Sequence, residues 1–130
     1  MKRVLPLVLF ALIICNVAYA SDVKWEYVLT STDVSYSVDM NSVRVTNNLL
    51  IFWAMMDDNN NQELITPCIA VNPVTREFRF EEDYVYSKKT KERKHYIKPT
   101  KWSKISPGSP IEQIVDYIIA NHPGFKKTEE

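Results

Sequence analysis

The sequence predicts an α+β domain, an antiparallel β-sheet of about six strands with one C-terminal α-helix packed on it. Three observations carry this. Short runs of alternating apolar and polar residues follow one another from Trp25 to Ile97, separated by polar turns. No helical period interrupts them, so neighbouring strands connect directly and run antiparallel. A single stretch near the end, from Ser109, has helical spacing and both of its end signals.

Taken in order, Trp25, Tyr27 and Leu29 alternate with Lys24 and Glu26, the pattern of a half-buried first strand. Val34, Tyr36 and Val38 alternate with Ser35, Ser37 and Asp39 in a second. A turn at 40–42 precedes a short run, Val43 to Val45, and Asn47-Asn48 makes the next turn. Leu49 to Met56 is apolar on both faces, which places it centrally or under cover on both sides. Asp57 to Asn61 is a polar loop, Leu64 to Val71 another apolar strand, and Asn72-Pro73 a turn. Phe78 and Phe80 alternate with Glu77, Arg79 and Glu81. Tyr84 to Tyr86 and His95 to Ile97 form two arms around a charged stretch, Lys88 to Lys94.

Ser109-Pro110-Ile111-Glu112 combines an N-cap serine, a proline at the first helical position and a glutamate at N3. Ile111, Ile114, Val115, Ile118 and Ile119 then share one face, and Asn121-His122-Pro123-Gly124 ends the helix. A helix of about twelve residues is roughly 18 Å long, whereas six strands span roughly 25–29 Å. One helix therefore covers part of one face. Either the sheet curls on itself or a second copy supplies the missing layer, and a homodimer is the expectation.

The 130-residue chain begins with Lys2 and Arg3, an apolar stretch from Val4 to Val17, and Ala18-Tyr19-Ala20. This is the signature of a cleavable signal peptide over residues 1–20, with residues 21–130 as one exported domain. The apolar stretch falls short of the roughly twenty residues that span a bilayer. Leu12-Ile13-Ile14-Cys15 is a poor lipobox, because a large β-branched residue precedes the cysteine. Loss of Lys2 and Arg3 leaves 14 basic residues against 16 acidic ones. That balance does not mark a nucleic-acid binder, and no later segment predicts stable membrane insertion. After cleavage Cys68 is the only cysteine, which excludes an internal disulfide. A small buried hydrophobe is the plain reading of it, a reactive thiol or an intermolecular bridge the sharper one.

The search for chemistry yields neither a catalytic constellation nor a cofactor or metal motif. Counted from Asp57, a calcium loop would need glycine and glutamate where Gln62 and Cys68 stand. His95 and His122 have no partner at metal-ligand spacing. With Gly108 and Gly124 as the only glycines there is no phosphate-cradling loop. The run Lys88 to Lys94 holds five cations and one anion. It reads either as a solvated hairpin tip that discourages edge pairing or as a basic patch for anionic partners. Lys88, Lys89, Lys91, Arg93 and Lys94 are the candidate binding residues, with Tyr84, Tyr86 and Tyr96 beside them.

The order of Trp25, Tyr36-Ser37-Val38-Asp39, Ser42-Val43, Ile51-Phe52-Trp53 and the late Trp102 to Ser109 segment before the helix resembles the surface-adhesin protein E family of Gram-negative bacteria. The resemblance spans roughly Trp25 to Ala120. It implies an antiparallel sheet with a C-terminal helix, and a binding rather than catalytic role toward host matrix, serum or envelope proteins. Two features depart from that family: there is no second cysteine within Tyr117 to Asn121, and the signal is of the ordinary secretory kind. The expected function is an exported binding domain without catalysis, working through an exposed sheet edge or the basic hairpin. The alternative is a periplasmic structural or inhibitory factor acting on the cell's own envelope proteins.

Overall fold

The computed structural model describes residues 22–125. The expected signal segment 1–20 and the tail beyond Phe125 lie outside the described residues. Eight strands form one antiparallel sheet: β1 (Trp25–Ser31), β2 (Val34–Asp39), β3 (Arg44–Thr46), β4 (Leu49–Asp58), β5 (Glu63–Asn72), β6 (Glu77–Ser87), β7 (Arg93–Tyr96) and β8 (Ser103–Lys104). The main path runs β1-β2-β4-β5-β6-β7, with β3 on β4 and β8 on β6. The helix α1 spans Pro110–Asn121. The expected fold class is what the chain adopts. The run Val43 to Val45 appears as the short strand β3, the runs around Phe78–Phe80 and Tyr84–Tyr86 join into the single strand β6, and the two-residue β8 had no signal of its own.

The two extra strands complete rows begun by others. β2 pairs with β4 as far as Ala54, and β3 resumes on the same side at Ile51. A 3-10 turn, Met40–Ser42, fills the gap. There Ser42 Oγ accepts the Trp53 N–H at 2.8 Å and donates to the Asp39 carbonyl at 2.7 Å, so the interrupted ladder leaves no orphan amide at Trp53. Along the opposite side of the sheet, β7 ends at Tyr96 and β8 begins at Ser103. Between them Thr100 pairs with Phe80, its N–H donating to the Phe80 carbonyl and its Oγ1 accepting the Phe80 N–H, both at 2.9 Å.

Two hairpins close on two-residue turns with positive φ at both positions, Thr32-Asp33 and Asn47-Asn48. This is the mirror-type geometry that suits the sheet's twist. Asp and Asn adopt it readily, whereas Thr32 is β-branched and strained there. Asn60 Nδ2 holds the Thr32 carbonyl at 3.1 Å, which ties that turn to the next.

Helix α1 lies on one face, nearest β1 and β2. Ile111, Ile114, Val115 and Ile118 pack there against Val38, Leu50, Phe52, Ala54, Ile69 and Val71, a buried cluster closed at one end by Ile105. The N-cap forms as expected, with Ser109 Oγ accepting the Glu112 N–H. Glu112 also accepts the Gly108 N–H and pairs with Arg76 at 2.7 Å, anchoring the helix to the β5–β6 turn.

Two expectations are corrected. Ile119 does not join the buried face and is 48% exposed, because five residues advance the helix past the stripe set by Ile111, Ile114 and Ile118. In β1 the inward set is not Trp25, Tyr27 and Leu29. A bulge between Tyr27 and Leu29 switches the alternation. Trp25 and Tyr27 therefore stand on the face away from the helix, while Glu26 faces it and accepts a hydrogen bond from the Tyr117 hydroxyl. That bond holds the Glu26 carboxyl below its ordinary range.

Asp83 conflicts with its surroundings. It sits opposite Pro67 in β5 and Tyr96 in β7, and its Oδ1 is buried without a hydrogen-bond partner among the described residues. Burial pushes its carboxyl pKa up. The folded chain then holds this proton more tightly than the unfolded one. Its contribution to stability is full below the unfolded value near ~3.9 and is lost as pH rises through the folded pKa. Asp83→Val is expected to stabilise the protein by about 1–3 kcal/mol at pH 7, the scale of one unsatisfied buried polar group. The gain should shrink as pH falls through the raised folded pKa and level off below pH ~4. Melting curves of both proteins across that range test it, and a gain independent of pH would contradict the assignment.

Candidate binding face

The face of the sheet away from α1 is the candidate site, and alternation along each strand decides which side chains reach it. Register places Trp25 opposite Asp39, Trp53 opposite Cys68, and Thr66 opposite Tyr84, which in turn stands opposite His95. Leu64, Tyr86 and Arg93 form the next row. All of these point away from the helix. The strand that reads as apolar on both faces, β4, gives Leu50, Phe52 and Ala54 to the core and leaves Ile51, Trp53 and Met55 half-buried on this open side.

The rings are arranged in series. Trp53 and Tyr84 have centroids 6.0 Å apart at 35°. Tyr84 stacks on His95 at 4.0 Å and 5°, and His95 Nε2 is 2.8 Å from Glu82 Oε2. Trp25 and Tyr84 are 39% and 37% exposed, enough for a ligand to reach their faces. Two adjoining cavities share Thr66 and Tyr84. The first, about 520 Å³, is walled by Trp25, Trp53, Tyr84, Asp39 and Asp22. The second, about 610 Å³, lies beside Leu64, Tyr86 and Arg93. Together they make a groove that is acidic at one end and has a guanidinium at the other.

Cys68 stands opposite Trp53 across β4 and β5. It is a free thiol, 4% exposed, and burial pushes its pKa up despite the nearby Arg44 guanidinium. A buried thiol held protonated beside Trp53 is a packing group, as the plainer reading of the sequence has it.

The basic run is dispersed. Lys88 turns back to pair with Asp57. Lys89 and Lys91 are exposed in the β6–β7 turn, where Lys91 takes a positive φ. Arg93 and Lys94 belong to β7 and so point to opposite faces: Arg93 joins the aromatic groove, and Lys94 lines a separate cavity with Glu63, Glu92 and Tyr96. Of the three nearby tyrosines, Tyr84 and Tyr86 share the open face with Arg93, and Tyr96 does not. Five cations in seven residues read as one patch only while the backbone is ignored.

In the polar loop, Asp58 Oδ1 accepts the Asn60 and Asn61 N–H groups at 3.0 and 3.1 Å, which makes it a turn former. Among the described residues no three His, Cys, Asp or Glu side chains gather as a metal set would, and no helix is long and apolar enough to cross a membrane.

Sequence reasoning did not assemble Trp25, Trp53, Tyr84 and Asp39 as one site. The available signal was the two-faced strand β4, whose Trp53 demanded a neighbour on the side without a helix. Comparison of the chain with family models, with curated proteins and with solved structures finds no match.

Proposed function

We propose that this chain is an exported, non-catalytic binding domain that takes a protein partner on the open face of its sheet, with the β6–β7 hairpin at the rim. The observation that carries this reading is the aromatic groove itself. Trp, Tyr and Arg are the residues that anchor protein interfaces, and here Trp25, Trp53, Tyr84, Tyr86 and Arg93 line one continuous surface. The resemblance of the sequence to surface-adhesin protein E leans the same way, toward host or envelope proteins as partners. The signal-like start of the chain supports export.

Pull-down with the purified domain from envelope and matrix preparations tests the reading, alongside proteolysis of intact cells to decide whether the domain is reachable from outside. Replacing Lys89, Lys91 and Arg93 by serine is expected to weaken capture on the order of tenfold, mainly through slower association. Unchanged capture removes the hairpin from the site. The expected homodimer is the case in which the partner is a second copy. A light-scattering mass of twice the chain at micromolar concentration identifies it, and a single-chain mass removes it.

A further inference from the structure

The acidic end of the groove has a chemistry of its own, centred on Asp39. This residue ends β2 directly opposite Trp25 and is only 7% exposed. Its Oδ1 accepts two backbone N–H groups, from Lys24 at 2.9 Å and Asn41 at 3.1 Å. Its Oδ2 accepts no hydrogen bond among the described residues, and the carboxylate forms part of the wall of the 520 Å³ cavity. A carboxylate this buried is costly unless a cation or donors meet it. Two backbone N–H groups meet Oδ1, but Oδ2 has no cation beside it in the cavity, since no lysine or arginine lines the wall. Lys24 and Arg44 are engaged elsewhere: Lys24 pairs with Glu26 at 3.3 Å, and Arg44 reaches the Ser42 carbonyl at 3.4 Å.

Two further polar side chains of the cavity are engaged within the protein. The Ser42 hydroxyl both donates and accepts within the protein, and the Asn41 amide bonds the Asp22 carbonyl. What faces a ligand is one carboxylate oxygen, the exposed Asp22 side chain, the Thr66 hydroxyl and, over most of the wall, the rings of Trp25, Trp53 and Tyr84. A hard metal ion needs six or so oxygen ligands. A sugar needs several free donors and acceptors. A primary ammonium brings three N–H donors, each of which wants an acceptor. A quaternary ammonium brings none, is weakly hydrated, and is drawn to aromatic faces beside a negative charge.

We propose that this cavity binds the quaternary ammonium group of a small free solute, with Asp39 as counter-ion and Trp25, Trp53 and Tyr84 as its walls. A cavity of 520 Å³ lies in the range of small-ligand sites, about 300–1,000 Å³. The inference does not rest on the protein-partner reading: the pocket would take its ligand whether or not a protein binds the face.

Tryptophan fluorescence of the protein titrated with choline, with ethanolamine and with 3,3-dimethyl-1-butanol tests it. The alcohol has the shape of choline with carbon in place of the charged nitrogen. A saturable response to choline is expected, with the alcohol and ethanolamine each weaker by about tenfold or more. Asp39→Asn keeps an oxygen for the two backbone N–H groups while removing the charge, and should weaken choline by a similar factor with the circular dichroism unchanged. If that variant does not fold, Trp25→Leu and Tyr84→Leu serve instead, each expected to weaken choline several-fold. Equal responses to choline and the alcohol, tighter binding of ethanolamine, no saturable response to choline, or undiminished affinity in folded variants would each overturn the proposal.

Discussion

Phe52→Ala is expected to lower the unfolding free energy by about 3–5 kcal/mol. Phe52 is fully buried on the helix side of β4, opposite Ile69, and it sits among Val38, Ala54, Ile69 and the isoleucines of α1. Domains of this size have about 5–15 kcal/mol in total, so the loss is a large fraction of the whole and should lower Tm by roughly 10 °C or more. Urea unfolding checks it, and an unchanged m-value would place the effect in the native state. Ile51→Ala is the control, one residue away but half-buried on the open face. It should cost clearly less. Equal costs would mean that the two faces of β4 are equally closed, contrary to the burial pattern.

The difference between those two positions was legible in the sequence as a need but not as a place. A run apolar on both faces announces two covers, and the helix signature from Ser109 supplies one of them. The helix and most strands were readable because their signals are local: a cap, a proline, a period of two. What escaped was set at long range. The bulge in β1 that turns Trp25 and Tyr27 outward leaves the apolar-polar alternation of the sequence intact. Nor does anything in Ser42 or Thr100 announce that each stands in for a missing stretch of strand. The five hairpin cations do not share one face, for a geometric reason. Alternation separates Arg93 from Lys94, and Asp57, distant in sequence, captures Lys88. Asp39 was hidden by its company. It follows Ser35 and Ser37 in the polar set of β2 and reads as one more solvent-facing residue, yet the Met40–Ser42 turn and Trp25 bury it.

Ile114→Asp is the second large effect, expected to abolish cooperative folding or reduce it to a remnant at neutral pH. Ile114 is fully buried at the centre of the helix stripe, between Ile111 and Ile118. An ionised carboxylate there costs several kcal/mol in desolvation, and the lost isoleucine contacts cost about 2–5 kcal/mol more. The sum is comparable with the whole stability of the domain. Two outcomes are physically distinct. If α1 were an accessory, it would detach and leave the sheet standing, and the near-ultraviolet signal of Trp25 and Trp53 on the opposite face would survive the loss of helical circular dichroism. The packing favours the other outcome. Among the described residues, α1 and its flanking segment are what covers Val38, Phe52, Ile69 and Val71, so a detached helix leaves the apolar centre of β2, β4 and β5 in water. Helical and aromatic signals should therefore disappear together, or melt in one transition if a remnant remains. Survival of the aromatic signal alone would show that the open face holds its shape without the helix, and that the groove and the core are separate units.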